Sequence, residues 1–445
     1  MKTLAAIGGL LIALGGAALA GFSARGAHQT RVDLARSVES GPRDEALPEG
    51  AIVARDAGEL LQLLDDPKGP GVIGLLPQVY EADLKIRRSV VLVGAVGTII
   101  QGTGADTVVT IQADDVVLRN VIVRRSGSRH TLEDGGIRAT GHRVKLEHLS
   151  VSDCLFGVSF RECVDCVLDG AHIVGRERDP ELRGDAVKLW ESDRSVVRGS
   201  LVENSRDIVV WYSKHVTLED NVVTNSRYGS HFMYAHDSLV RRSRFVNDTV
   251  GIFVMYSSRV TVEDNVLAGA SGPAGIGIGF KEADDVSLAR NMIVGNTLGA
   301  YLDQSPRTPG KTLVLDGNML ALNQVGLRLH GPQSGATFRN NDFHENASVV
   351  EIESGDATGS VFLGNRFSDY EGYDLDRDGL GDVAYEQRVL SSELMVVHPS
   401  LRLMQGTAAM GTVDAIAHAF PVFAARKILS DPRPRISPLE MSFQK

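Results

Sequence analysis

Three consecutive stretches of the chain repeat one pattern: LEDNVVTNSRYGSHFMYA (218–235), VRRSRFVNDTVGIFVMYS (240–257) and VEDNVLAGASGPAGIGIGF (262–280). The equivalent positions Asn221, Ser243 and Asn265 are 22 residues apart each time, and Tyr234 and Tyr256 keep the same spacing. A fixed period near this length, rich in β-branched residues and glycine, is typical of a β-solenoid. We therefore predict that each repeat forms one coil of a parallel β-helix.

The polar corner of this pattern recurs along most of the chain. In order, it falls at Asn120, His148, Ala171, Ser200, Asn221, Ser243, Asn265, Asn291, Asn318, Asn341 and Asn365, in steps of 21 to 29 residues. Asparagines stacked at one corner would share side-chain hydrogen bonds along the axis. The sequence thus predicts an all-β fold, a right-handed parallel β-helix of about eleven coils over residues 72–367.

The two ends of the chain depart from the repeat. Residues 1–20 combine Lys2, an apolar run and a closing Ala-Leu-Ala, the pattern of a cleaved signal peptide, with an uncleaved membrane anchor as the alternative. Residues 21–71 are interpreted as a lead-in and N-terminal cap, with a helix expected over 51–66. Residues 368–397 are interpreted as an acidic cap. Residues 398–445 carry apolar residues at helical spacing and are interpreted as short helices that form a docking segment, with a packed cap as the alternative.

Charge and cysteine content narrow the possibilities further. The chain has 445 residues and a net charge of -10, which argues against a general nucleic-acid binder. Its three cysteines are Cys154, Cys163 and Cys166. The CxxC formed by the last two is either a thiolate metal or redox site, or a pair of small residues at the turns of one coil, reduced or oxidised.

One strand of each coil is expected to carry large side chains on its outward face, because alternate residues of a strand face opposite sides. The expected inward pairs are Val187 and Leu189, Ile208 and Val210, Ser230 and Phe232, Ile252 and Val254, and Ile276 and Ile278. One outward ladder is Lys188, Val209, His231, Phe253 and Gly277. The next is Trp190, Trp211, Met233, Met255 and Gly279, and the strands end at Tyr212, Tyr234, Tyr256 and Phe280.

Large apolar residues that face away from a filled core need a cover. The cover is either the chain's own C-terminal segment or a partner or ligand, for which Trp190, Trp211, Tyr234 and Tyr256 would form the contact surface.

Three residues of this face are candidate copper ligands: His231, Met233 and Met255. Neighbouring coils are about 4.8 Å apart, so the two methionines could share a metal with the imidazole in reach. Thioether and imidazole groups favour copper over hard cations. Packing of methionine against aromatic rings is the competing interpretation.

A second candidate metal site follows the last coil, in SDYEGYDLDRDGLGDVAYE (368–386). Asp374, Asp376, Asp378 and Asp382 form a D-x-D-x-D-G loop of the kind that binds calcium. Tyr385 stands where a full EF-hand loop has its closing glutamate. The alternative is an acidic turn that caps the solenoid.

The coils, the GSHFMYA and GIFVMYS strands, the acidic loop and the helical end together resemble the NosD family. The resemblance implies a periplasmic protein that delivers copper for assembly of the copper centres of nitrous-oxide reductase and has no catalytic activity of its own. It also implies partners: the ATP-binding subunit and membrane permease of an ABC transporter, which would attach the protein to the inner membrane, and a copper-chaperone lipoprotein.

Two other functions remain open. Parallel β-helices also serve as polysaccharide lyases and glycosidases, and here Asp185 and Asp207 lie near tryptophans on which sugars could stack. The thioethers have no role in that chemistry. The other alternative is a docking scaffold that binds no metal.

Overall fold

The computed structural model describes residues 38–331, 334–354, 357, 359–387, 390, 394, 397–404, 407–420 and 427–439. The predicted signal peptide lies outside the described residues. Within those ranges, no helix is long and apolar enough to cross a membrane.

The molecule is a right-handed parallel β-helix whose coils are built from three parallel sheets. Sheet A has 14 strands. They are Ile52–Ala54, Val72–Leu75, Val91–Gly94, Val117–Arg119, Lys145–Glu147, Val167–Asp169, Val196–Arg198, Thr217–Glu219, Leu239–Arg241, Thr261–Glu263, Val286–Ala289, Leu313–Asp316, Ser334–Arg339 and Gly359–Leu363.

Sheet B follows sheet A in each coil and has 13 strands. They are Val79–Glu81, Ile99–Gln101, Ile122–Arg124, Ser150–Cys154, His172–Gly175, Leu201–Glu203, Val222–Thr224, Arg244–Val246, Val266–Ala268, Met292–Val294, Met319–Ala321, Asp342–His344 and Arg366–Phe367.

Sheet C completes each coil and has 12 strands. They are Leu84–Ile86, Val109–Ile111, Gly135–Ala139, Phe156–Arg161, Val187–Trp190, Asp207–Trp211, Tyr228–Met233, Val250–Met255, Ile276–Lys281, Leu298–Asp303, Val325–His330 and Ser348–Ser354. The centre of the coils is filled by aliphatic side chains and by fully buried phenylalanines such as Phe160, Phe232 and Phe280.

The solenoid has about 13 turns, more than the eleven expected. The two additional coils precede Asn120 and begin with the sheet A strands Val72–Leu75 and Val91–Gly94. At the corner that follows these two strands stand the apolar residues Leu76 and Ala95, whereas most later coils have a polar residue at this corner. A count of polar corners therefore missed them.

The predicted asparagine stack is present in the later coils. Asn265 donates its side-chain amide to Asn291 Oδ1 at 3.0 Å, and the same contact continues through Asn318 and Asn341 to Asn365. These residues are fully buried. The amides thus satisfy one another inside a corner that excludes solvent.

A second stack, which the sequence analysis missed, lies between sheets B and C. Asn296 donates to Asn323 Oδ1 at 3.0 Å, and Asn323 donates to Asn346 Oδ1 at 2.9 Å. Asp248 takes the equivalent place in an earlier coil: its Oδ2 lies beside Gly229 as the amide nitrogen of Asn296 lies beside Gly277. Burial raises the pKa of Asp248 well above its usual range, and Oδ2 has no hydrogen-bond partner among the described residues. Burial therefore disfavours the charged form of this carboxyl group in the folded protein.

Changing Asp248 to asparagine is expected to stabilise the protein at pH 7.5. The amide can donate where Oδ2 stands, while Oδ1 keeps its bond from the Ser226 amide at 2.7 Å. Because the pKa of Asp248 is raised in the folded state, its contribution to the free energy of unfolding is fully present below the unfolded-state pKa of about 4. That contribution is lost as the pH rises above this value. The gain should be about 1–3 kcal/mol at pH 7.5, the cost of one unsatisfied buried polar group, and should fall towards zero at pH 4. Denaturant unfolding of both proteins at the two pH values measures it, and an equal difference at both would contradict it.

The register of one sheet C strand differs from the expected one. Ile278 and Phe280, rather than Ile276 and Ile278, pair with Ile252 and Val254 and face inward. Met255 therefore pairs with Lys281 and Phe253 with Gly279. The insertion at residues 269–275 makes this coil two residues longer than the expected pairing of Ile252 with Ile276 requires. Gly279 also leaves space for the Phe253 ring, which a Cβ at that position would meet at 2.4 Å.

The N-terminal end is closed by a short helix. The helix spans Ala57–Asp65 and is capped by Asp56, which accepts from the Glu59 amide at 2.8 Å. The predicted helix over 51–66 is thus too long, because residues 52–54 join sheet A. The described part of the lead-in packs along the coils, since the Gly41 amide donates to Gly170 O at 2.7 Å.

The C-terminal end is closed by a strand pair. Tyr385–Gln387 pairs antiparallel with Leu429–Asp431, and the Tyr385 ring stacks on Phe367 at 3.8 Å. A 3-10 helix spans Pro399–Met404 and an α-helix spans Ala408–Ala419. Part of residues 398–445 therefore caps the last coil, as the packed-cap alternative expected.

The cysteines occupy inner positions. Cys163 and Cys166 form a disulfide and both side chains are fully buried, which answers the question left open by the CxxC. Cys154 is a free buried thiol whose pKa is raised by burial to about 11. Neither arrangement offers an accessible thiolate for a metal.

Candidate functional site

The outward face of sheet C carries the two predicted ladders up to Met255. Lys188, Val209, His231 and Phe253 are paired in consecutive coils. Trp190, Trp211, Met233 and Met255 form the adjoining ladder. We call the face formed by these eight residues the sheet C surface. The three predicted copper ligands lie on two neighbouring strands of this surface, His231 and Met233 on Tyr228–Met233 and Met255 on Val250–Met255.

A β-bulge places His231 on this surface. Asp207 pairs with Tyr228 and Val209 pairs with His231, so the later strand holds one additional residue between the two pairs. Bulges re-aim the side chains that follow them. Gly229 and Ser230 thus stand opposite the single residue Ile208, and His231 shares the ladder of Phe253 in the next coil.

The imidazole of His231 is in contact with the sulfur of Met255. The distance from His231 Nε2 to Met255 Sδ is 3.3 Å. The ring stacks on Tyr228 at 4.9 Å and meets the Trp211 ring edge-on at 5.5 Å. His231 is only 9% exposed, and this burial lowers its pKa, so the imidazole is neutral at neutral pH. A neutral imidazole is the form that binds metals.

The other predicted copper ligand, Met233, lies beside this pair. It is the backbone partner of Met255 in the neighbouring coil, and both methionines are half-buried. The structure thus brings His231 and Met255 into direct contact and places a second thioether one coil away. A neutral nitrogen and two thioethers, with the aromatic rings of Trp211 and Tyr228 around them, suit a soft monovalent metal better than a hard cation.

Two charged residues that the sequence analysis missed, Glu133 and Arg161, border the sheet C surface beside Lys188. Lys188 donates to Glu133 at 2.8 Å, and Arg161 also pairs with Glu133. The Lys188 ammonium lies 5.1 Å from the Trp190 ring and 5.8 Å from the Trp211 ring. Glu133 belongs to the insertion between Ser126 and Asp134, whose greater length was the one signal in the sequence. The insertion folds over the sheet and fixes the Lys188 cation against the tryptophans.

The two carboxylates next to the tryptophans are not free. Arg227 binds Asp207 through two bonds, Nε to Oδ1 at 3.0 Å and Nη2 to Oδ2 at 2.5 Å. Asp207 is 1% exposed. Asp185 is also buried, and this burial, together with the charge of Asp207, raises its pKa to about 7. Neither carboxylate presents itself to a ligand at the surface.

A stack of tyrosines runs along the end of the sheet C strands. The Tyr212 and Tyr234 rings are 5.2 Å apart and 12° from parallel, and the Tyr234 and Tyr256 rings are 5.2 Å apart and 18° from parallel. Trp190 extends the stack at 5.2 Å from Tyr212. Glu282, rather than the predicted Phe280, follows next, because of the register difference above. We call the continuous row of Trp190, Tyr212, Tyr234 and Tyr256 the aromatic strip. It contains three residues of the predicted partner surface and adds Tyr212.

The acidic loop brings together three of its four predicted calcium ligands. Oxygen atoms of Asp374, Asp376 and Asp382 lie within 4.8 Å of one another. Asp378 is paired with Arg433 of the C-terminal end instead. The loop is held by backbone donors, with the Gly379 amide on Asp374 Oδ2 at 2.9 Å.

The fold and this surface define a class: a parallel β-helix that presents an imidazole–thioether pair between aromatic residues on an outward sheet. Residues 164–372 match the model of a family described as periplasmic copper-binding protein (NosD). Two curated relatives are each named probable ABC transporter binding protein NosD. The one from Pseudomonas aeruginosa is 31% identical over 147 residues, which cover 31% of this chain and 34% of the relative. The one from Stutzerimonas stutzeri is 30% identical over 110 residues, which cover 24% of this chain and 25% of the relative.

The chain is thus similar to the NosD family over residues 164–372, just under half of its length. The matched part spans about a third of the length of the first relative and a quarter of the second. Among solved structures, the A-module of the mannuronan C-5 epimerase AlgE6 from Azotobacter vinelandii has a TM-score of 0.55 at 13% identity, covering 75% of this chain and 97% of that one. That likeness concerns the fold alone.

Proposed function

We propose that this protein binds Cu(I) in the periplasm and delivers it for assembly of the copper centres of nitrous-oxide reductase, in association with an ABC transporter. The family description supports copper binding and the periplasm. The names of the relatives support the transporter. The proposal assigns the protein no catalytic role.

The contact between His231 Nε2 and Met255 Sδ carries the proposal. Copper is the cargo here, and His231, Met255 and Met233 would hold it. Neutral thioether and imidazole ligands bind Cu(I) less tightly than thiolates, which suits a carrier that has to release the ion. The aromatic strip and the tryptophans would exclude water while the ion passes to or from a partner.

Anaerobic Cu(I) titration of the intact protein against a chromophoric chelator tests the proposal. Changing His231 to alanine should weaken Cu(I) binding at least tenfold, since a direct ligand is lost. Changing His172 to alanine is the control, because His172 lies on sheet B and is paired with Glu203 at 2.8 Å. If the unmodified protein takes up no Cu(I), or the His231 variant binds as well as the control, the protein is a metal-free docking scaffold.

The surface does not favour the lyase or glycosidase alternative. A glycosidase needs two carboxyl groups that reach the scissile bond. Asp207 is held by Arg227, and both Asp207 and Asp185 are buried. The thioethers that line the surface have no role in sugar chemistry.

We also propose that the acidic loop binds Ca²⁺ through Asp374, Asp376 and Asp382. Three carboxylates within 4.8 Å repel one another unless a cation neutralises them. The loop is linked to the C-terminal end through Arg433, so the ion would hold this end on the last coil. Asp378 was one of the predicted calcium ligands. Because it pairs with Arg433, we propose that it holds the loop against the C-terminal end and does not bind the ion.

Removal of calcium is expected to lower the melting temperature of the protein. Changing Asp376 to alanine should make the melting temperature insensitive to added calcium or EDTA. Changing Asp378 to alanine should leave calcium sensitivity in place while weakening the contact with Arg433. Identical melting curves of the unmodified protein in EDTA and in excess calcium would show an acidic turn only.

The proposed partners are the ATP-binding subunit and permease of the transporter, a copper-chaperone lipoprotein and nitrous-oxide reductase. We propose that residues 400–423 dock on the permease and that the aromatic strip contacts the chaperone or the reductase. Part of that stretch lies outside the described residues. Deletion of 400–423, which ends before the capping strand Leu429–Asp431, should leave a folded protein that no longer co-purifies with the transporter.

A further inference from the structure

We infer that Asp207 is a positioning residue for His231: its carboxylate fixes the proton of the imidazole on Nδ1 and leaves the lone pair of Nε2 facing Met255. The inference deepens the proposed copper site and rests on it for its functional meaning. It concerns the geometry of the metal-free protein, which is measurable without copper.

The two nitrogens of the imidazole face different neighbours. Tyr228 covers one face of the imidazole at 4.9 Å, and Trp211 meets it edge-on at 5.5 Å. Nε2 then faces Met255 Sδ at 3.3 Å. On the opposite side, Nδ1 is buried, lies 4.0 Å from Asp207 Oδ2 and has no hydrogen-bond partner among the described residues.

The two tautomers of His231 differ in whether Nδ1 presents a proton or a lone pair to Asp207, and in whether Nε2 presents a proton or a lone pair to Met255. With the proton on Nε2, the lone pair of Nδ1 faces a buried carboxylate, which is repulsive. With the proton on Nδ1, the N–H dipole faces the negative charge of Asp207, and Nε2 is free to donate its lone pair to a metal. The buried position strengthens this preference, because the interaction is little screened.

Asp207 is itself held in place. Arg227 binds both of its oxygens, and its backbone carbonyl accepts from the Ala186 amide at 2.9 Å. The side chain is 1% exposed. An oriented carboxylate behind a histidine is the arrangement by which proteins fix the tautomer and raise the basicity of a metal-binding imidazole. The arrangement here is Arg227, Asp207, His231 and Met255 in sequence across neighbouring coils.

The test is ¹⁵N NMR of the full-length, metal-free protein labelled at histidine, with the His231 signals identified by their loss in His231→Phe. Nδ1 and Nε2 of a neutral imidazole have distinct shifts that report which nitrogen carries the proton. The unmodified protein should show Nδ1–H at His231, and Asp207→Asn should shift the signals towards a mixture with Nε2–H. Asp185→Asn is the matched control, because it removes a neighbouring buried carboxyl group and should leave the tautomer unchanged.

Cu(I) titration of the same variants gives the second measurement. Asp207→Asn should weaken Cu(I) binding about 10–100-fold, as expected for loss of an outer partner of a ligand, while Asp185→Asn should not. An Nε2–H tautomer in the unmodified protein, or an unchanged tautomer in Asp207→Asn, overturns the inference even if copper binds. The expected tautomers in a protein that takes up no Cu(I) would uphold the positioning role of Asp207 and overturn the proposed function instead.

Discussion

Replacing Met233 and Met255 together by leucine is expected to abolish Cu(I) binding while leaving the fold and stability nearly unchanged. Leucine keeps the apolar character and most of the volume, so the change should cost less than about 1.5 kcal/mol. Both proposed sulfur ligands are lost, and the Nε2 of His231 no longer has the Met255 sulfur beside it at 3.3 Å. Because loss of an outer partner alone weakens metal sites about 10–100-fold, loss of two direct ligands should exceed roughly 100-fold.

The chain offers a matched control for this experiment. Met292 and Met319 are also paired in neighbouring coils and are also half-buried on the outside of the solenoid, but they lie on sheet B. Changing both to leucine removes the same number of sulfur atoms and should leave Cu(I) affinity unchanged. The thermal unfolding midpoint, a Cu(I) titration and the copper content of nitrous-oxide reductase in cells should be measured for both double variants.

The outcome separates a carrier from a scaffold. A carrier predicts that the Met233 and Met255 variant is stable, binds no Cu(I) and yields a reductase without its copper. If the reductase is fully loaded by this variant, the methionines only pack against the aromatic strip, and the sheet C surface is a docking face.

The main contact of the site was predictable from the sequence because a solenoid converts equal spacing into proximity. His231 and Met255 are 24 residues apart, in adjacent coils whose strands pair directly, and the 22-residue period placed both side chains on one outward face. The same reasoning gave the wrong partners for Ile276 and Gly279, because the insertion at 269–275 changes the length of that coil.

The residues that surround the contact were not predictable in the same way. Glu133 reaches Lys188 from an insertion, and Asp207 faces His231 only because a bulge shifts the strand by one residue. Neither feature follows from periodicity. The disulfide was left open because sequence does not encode the state of Cys163 and Cys166, whereas the structure shows that both sulfurs lie inside one corner.

The end of the asparagine stack was missed because its last member is distant in sequence. Asp431 lies 66 residues after Asn365 and belongs to the C-terminal strand. Its Oδ2 accepts from the Asn365 amide at 2.8 Å and from the Asn365 side chain at 2.9 Å, and its Oδ1 accepts from the Gly364 amide at 3.1 Å. A carboxylate thus takes the place that the side chain of a further asparagine would occupy, and the C-terminal strand closes the stack.

Changing Asp431 to alanine is expected to destabilise the protein by about 2–4 kcal/mol, because four donors lose their partner, three of them in buried positions. Asparagine should cost less, since one amide oxygen can accept both bonds from Asn365, as Asn365 Oδ1 does for Asn341. The control is Asp179 to alanine, because Asp179 is exposed and its side chain caps nothing. In denaturant unfolding, the loss of stability should be largest for Asp431→Ala, smaller for Asp431→Asn and smallest for Asp179→Ala. An alanine variant as stable as the control would mean that the C-terminal strand contributes nothing to the solenoid, and that residues 427–436 are free to act with the docking segment.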